Sequence, residues 1–102
     1  MRLSDKEKKT LIESFAEHMP SGYELYLFGS RLDDNKKGGD IDLLVFVDKK
    51  NKHEVIQLKN TIRASIFKVL PEQKIDITVA TNDELEKDTF LKEIFTKACK
   101  LT

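Results

Sequence analysis

The sequence predicts an α/β (α+β) domain: a small mixed β-sheet with helices packed mainly on one face. Three observations lead there. Amphipathic stretches of helical period alternate with short apolar runs of strand length. Clusters of Pro, Gly, Ser, Thr and Asp separate these stretches. The 102 residues suffice for one modest core, so a single domain over 1–102 is expected.

The first element opens with Ser4-Asp5-Lys6-Glu7, a capping box with Ser4 as N-cap and Glu7 three residues on. Leu11, Ile12, Phe15, Ala16 and Met19 follow at helical spacing, giving a helix of about four turns. Pro20-Ser21-Gly22 stops it. Tyr23 to Phe28 is aromatic and apolar enough for an inner strand. Asp33 to Gly39 has turn composition, and Ile41, Leu43, Val45 and Val47 mark the core face of a second strand. After a polar break at Asp48 to Lys52, Val55, Leu58, Ile62, Ile66 and Val69 predict a long helix with one buried stripe, ended by Pro71. Ile75, Ile77 and Val79 form one face of a third strand. Thr81-Asn82-Asp83-Glu84 is a second capping box, opening one final helix that buries Leu85, Leu91, Ile94, Phe95 and Ala98.

Composition narrows the function classes. Apolar residues make up 39% and charged residues 35%, the range of a soluble protein with a well-charged surface. Eighteen Lys and Arg balance eighteen Asp and Glu, so no global basic field favours bulk nucleic-acid binding. One cysteine, Cys99, excludes an internal disulfide and suits a reducing compartment. The N-terminus lacks an apolar signal region and no run approaches membrane-spanning length. A cytoplasmic protein with no membrane association is expected.

The informative stretch runs from Leu25 to Val47. The first strand ends in Gly29-Ser30, and the second opens with Asp40-Ile41-Asp42. Alternation along a strand puts Asp40 and Asp42 on one face, roughly 6–7 Å apart at the backbone. Two adjacent carboxylates repel and resist desolvation, so stability explains them poorly. Turn-side aspartates that satisfy backbone N–H groups would account for one of them. A divalent cation accounts for both, and hard oxygen donors suit Mg²⁺ with substrate phosphates. Gly29, lacking Cβ, lets backbone N–H groups approach a ligand, and Ser30 offers a hydroxyl and an N-cap for a short helix aimed at an anion.

Gly29-Ser30, nine intervening residues and Asp40-Ile41-Asp42 resemble the signature of the polymerase-beta-like nucleotidyltransferases, specifically their minimal single-domain members. The spacer is one residue shorter than the family's commoner form. The resemblance, spanning roughly Tyr23 to the end of the chain, implies a third carboxylate on a later strand, and Asp76 stands in that place. It implies a nucleotidyltransferase fold, Asp40, Asp42 and Asp76 as catalytic and metal-binding residues, and Gly29 and Ser30 as nucleotide-binding. Two Mg²⁺ ions and ATP follow from the same resemblance. Minimal members occur as antitoxins beside HEPN-domain ribonuclease toxins, and some transfer AMP to a toxin tyrosine; such a partner is therefore implied, as is a possible oligomer. Three other readings stay open: a binding-only antitoxin, a small-molecule nucleotidyltransferase, and a purely structural domain.

Other residues say less. Arg31 either contacts phosphate as a further nucleotide-binding residue or caps the short helix. Lys36 and Lys37 either attract the triphosphate or are solvated loop charges. Asp33, Asn35, Gly38 and Ile41 fit part of an EF-hand loop, but Lys37 and Leu44 stand where ligands are required. His18 and His53 have no ligand cluster around them. Cys99, placed in the last helical turn, is read as packing rather than as a nucleophile.

Overall fold

A computed structural model describes residues 2–32 and 39–102. Helix α1 (Asp5–His18) is followed by strand β1 (Glu24–Phe28), a 3₁₀ turn (Gly29–Leu32) and strand β2 (Ile41–Phe46). A second 3₁₀ turn (Lys49–Asn51) leads into α2 (Lys52–Phe67), then β3 (Ile75–Ala80), α3 (Asn82–Lys87), α4 (Thr89–Lys97) and a two-residue strand β4 (Cys99–Lys100). The four strands form one mixed sheet in the order β3-β2-β1-β4. β1 runs antiparallel to β2 and β4, whereas β2 and β3 are parallel.

Both capping boxes form. The Glu7 amide donates to Ser4 Oγ at 3.1 Å and Ser4 N–H donates to Glu7 Oε1 at 2.9 Å. Thr81 and Glu84 make the same reciprocal pair at the start of α3. Period-two alternation then sorts the strand side chains. Leu25, Leu27, Ile41, Leu43, Val45, Ile75 and Ile77 join Leu11 and Phe15 of α1 and Val55, Ile62 and Ile66 of α2 in the main core. The two long helices thus share one face of the sheet, and the parallel β2–β3 connection is made by α2 crossing it.

The other face carries a smaller core. Leu44, Phe46 and Ala80 meet Leu91, with Leu85, Ile94 and Phe95 packed around them. Tyr26, Phe46 and Phe95 meet edge-on, with ring centroids 5.2 to 5.8 Å apart. This short helical pair covers only part of its face, because Asp42 and Asp76 sit further along the same alternation and have no apolar side chain to bury.

Four expectations differ. The final helix is two helices, because the Asp88 carboxylate accepts from the amides of Phe90 and Leu91 and starts α4 afresh. Cys99 lies in β4 rather than in a helical turn, with Leu27 as its pairing partner. The long helix ends at Phe67, leaving Val69 45% exposed while Leu70 takes the buried position. Ala16 of α1 is exposed, and Thr10 and Ser14 are buried instead. β1 is an inner strand, as expected, since β4 covers its second edge.

Phe15 is fully buried at the centre of the main core. Phe15→Ala should lower the free energy of unfolding by about 3–5 kcal/mol, measured as a reduced midpoint in urea. A loss under about 1 kcal/mol would mean that α1 does not pack as described.

Candidate active site

The register of the parallel pair places Asp42 directly beside Asp76, with Phe28 as its partner on the other side. Asp42 therefore occupies the middle of the sheet, on the face away from α1 and α2. Asp40 precedes β2, half-buried, and forms a 3.8 Å ion pair with the largely exposed Lys74. Burial, then the charges of Asp76 and Asp40, raise the Asp42 carboxyl above the ordinary carboxylate range, with Lys74 opposing. The three carboxylates named from the sequence thus come together around the start of the parallel pair.

Gly29 has φ +82°, a conformation open to glycine, and a Cβ there would collide with the Asp42 carboxylate. Its role is close approach: the backbone after β1 lies against Asp42 because nothing projects from Gly29. Gly39, at φ +94°, makes the corresponding approach to Ser30, whose Oγ would stand 2.5 Å from a Cβ added to that glycine. The Gly-Ser end of β1 and the Gly-Asp entry to β2 are packed together by these two absent side chains. The helix expected after Ser30 is a single 3₁₀ turn of four residues.

Arg31 holds this corner in place. It is 7% exposed, and its guanidinium donates to Arg2 O and Gln73 Oε1 at 2.7 Å each. It also reaches Gly39 O at 3.4 Å and Glu7 Oε2 at 3.5 Å. Those contacts turn the guanidinium into the protein, so its geometry favours bracing over contact with phosphate. The Arg2 side chain donates to Ser30 O at 2.9 Å, completing the brace. This hub of Arg31, Glu7 and Gln73 was invisible in the sequence, because its members come from three distant segments. An arginine directly after Gly29-Ser30 was its only trace.

Lys36 and Lys37, with Asp33, Asn35 and Gly38, lie outside the described residues. Among the described residues no three His, Cys, Asp or Glu side chains converge closely enough to hold a metal ion as they stand. The donor set nevertheless suits a hard divalent cation. Asp42 and Asp76 stand side by side, crowding that raises the cost of charge on Asp42, and among the described residues Asp40 makes a long, exposed pair to Lys74.

Among the described residues, two cavities border the sheet. One of about 790 Å³, lined by residues including Lys49, Thr81, Glu84 and Phe90, lies at the far end of the parallel strands from Asp42. The other, about 640 Å³, has Asp76 in its wall. Chemistry rather than size singles out the second.

A mixed sheet with a Gly-Ser turn after its inner strand and paired aspartates on the next two strands is a nucleotidyltransferase fold. Residues 9–101 match the family model described as Polymerase beta, Nucleotidyltransferase, and the chain belongs to that family. No curated protein matches the chain. Family membership makes nucleotidyl transfer its general class of chemistry.

The raised Asp42 carboxyl has a consequence for the ligand-free protein. A carboxyl whose folded pKa lies above its unfolded value, about 3.9, costs stability when ionised. That cost is fully present above the folded pKa and is relieved as pH falls through it. Asp42→Asn should therefore raise the melting temperature at pH 7, with the gain shrinking as pH drops toward 4. An equal or lower melting temperature at pH 7 would contradict the charge crowding.

Proposed function

We propose that this chain is a Mg²⁺-dependent nucleotidyltransferase that moves AMP from ATP to a hydroxyl on a partner protein, such as a HEPN-domain toxin. The observation that carries the reading is the placement of Asp42 between Gly29 and Asp76, with Asp40 beside it. A crowded carboxylate set under a glycine turn is costly for folding alone and apt for charge-rich phosphate chemistry.

In this mechanism Gly29 and Ser30 receive the β- and γ-phosphates. The open backbone at Gly29 permits close approach, and the Ser30 hydroxyl donates to a phosphate oxygen. Asp40 and Asp42 would hold the catalytic cation, and Asp76 with Asp42 a second. Bound there, magnesium supplies neutralisation of charge at the α-phosphoryl group and on both the attacking and leaving oxygens. Asp76 takes the proton of the acceptor hydroxyl. The acceptor oxygen forms a bond to the α-phosphorus, the bond to the bridging oxygen breaks, and pyrophosphate departs with that electron pair. Arg31 keeps the Gly29-Ser30 and Gly39-Asp40 segments in register throughout and contacts no phosphate.

Thermal stability with ATP and Mg²⁺ tests the site. A ligand at one hundred times its dissociation constant adds about 2.7 kcal/mol, which moves the midpoint of a domain this size by several degrees. The shift should require Mg²⁺ and vanish in the Asp40→Asn, Asp42→Asn double variant. Asp42→Asn should also abolish transfer of α-labelled AMP to a co-expressed partner while keeping the fold. Near wild-type transfer by that variant would sink the mechanism. Neutralisation of a toxin by a transfer-dead Asp42→Asn chain would favour inhibition by contact.

A further inference from the structure

We infer that Lys74 belongs to the site: its ammonium is the counter-charge of Asp40 and Asp42, and it turns to a phosphate oxygen of the nucleotide when a divalent cation takes those carboxylates. The inference rests on the nucleotidyl-transfer reading. It adds a nucleotide-binding residue and a reason for the cation to bind with its nucleotide rather than alone. Lys74 Nζ stands 3.8 Å from Asp40 Oδ2. Its charge also acts on Asp42, opposing the crowding from Asp76 and Asp40. Lys74 thus lends a positive charge to the corner where these carboxylates meet.

The backbone puts it there. Lys74 comes immediately before β3 as Asp40 comes immediately before β2, and Ile41 N–H donates to Lys74 O at 3.0 Å. That bond extends the parallel ladder in which Ile41 pairs with Ile75, so Asp40 and Lys74 enter the sheet side by side. Next to Lys74, Gln73 Oε1 accepts from the Arg31 guanidinium at 2.7 Å, and Arg31 also reaches Gly39 O at 3.4 Å. Both strand entries are fastened to the same arginine, and the base of the lysine is fixed. Its side chain is 71% exposed, against 47% for Asp40. A pair so long and exposed contributes little to stability, so the ammonium leaves it at little cost.

Charge then decides what the ammonium does. Without nucleotide, Lys74 competes with a divalent cation for Asp40 and repels it. With nucleotide, the same ammonium gains an anionic partner in the phosphates, and the competition ends. Lysine suits this exchange, because a compact charge on a flexible stem pivots between carboxylate and phosphate without a fixed geometry. A phosphate joined to Asp40 through a cation lies within the sweep of a head already 3.8 Å from that carboxylate. A lysine acting only as a solvated surface charge would influence neither cation nor nucleotide.

The test measures two affinities of the whole chain: Mn²⁺ alone, from the electron paramagnetic resonance of the free ion, and α,β-methylene-ATP with saturating Mg²⁺, by calorimetry. Lys74→Met keeps the stem and removes the charge. It should bind Mn²⁺ alone about fivefold more tightly, from the lost repulsion. It should bind the nucleotide about tenfold more weakly, from the lost charge-assisted bond. Lys74→Arg should retain most of both wild-type affinities. Opposite signs are the signature, since damage to the strand entry would weaken both. Mn²⁺ affinity unchanged or lowered in Lys74→Met would overturn the counter-charge role. Nucleotide affinity unchanged or raised in that variant would overturn the phosphate contact and leave the transfer reading standing. A wild-type chain that takes no nucleotide with Mg²⁺ would overturn that reading, and this inference with it.

Discussion

Everything at the candidate site depends on the parallel pairing of β2 with β3. Antiparallel neighbours are joined by a tight turn, but a parallel pair needs a crossover, and α2 provides it. The crossover buries Val55, Ile62 and Ile66 against one face, which fixes the register of Ile75 and Ile77. That register sets Asp42 against Asp76 on the opposite face. A slip of one residue in β3 would turn Asp76 into the main core and away from Asp42. The apolar half of each strand thus positions the polar half.

The second constraint is a brace rather than a core. Arg31 joins the N-terminal segment, α1, the entry to β2 and the approach to β3 through Arg2, Glu7, Gly39 and Gln73. Glu7 serves two structures at once: one carboxylate oxygen caps α1 and the other faces Arg31. Helix end and site corner are therefore one hydrogen-bonded unit. A buried guanidinium is tolerable only with such partners, since an unpaired buried cation is far more costly than a paired one.

Much of this was legible in the sequence because the governing signals are local. The capping boxes at Ser4 and Thr81, the alternation of Ile41, Leu43 and Val45, and the Gly29-Ser30 and Asp40-Ile41-Asp42 pairs each lie within a few residues. What stayed hidden depended on distant contacts. The break at Asp88 was masked by the apolar spacing that continues on both sides of it. β4 is two residues long and is a strand only because β1 offers an open edge to Cys99 and Lys100. Val69 keeps the helical period, but the chain has already left the helix by then, and Leu70 turns inward instead. The function of Arg31 was unreadable for the same reason: its acceptors come from the N-terminal segment, α1, and the entries to β2 and β3.

The crossover also has an entropic cost. Asp42 and Asp76 are separated along the chain by the whole of α2, so their pairing closes a long loop, while the β1–β2 hairpin and the α3–α4 pair need only nearby residues. Long-range pairings are slow because loop entropy is lost before contacts repay it. Loop entropy therefore weighs on the carboxylate pair, as it does on the β1–β4 edge, and spares the β1–β2 and α3–α4 contacts.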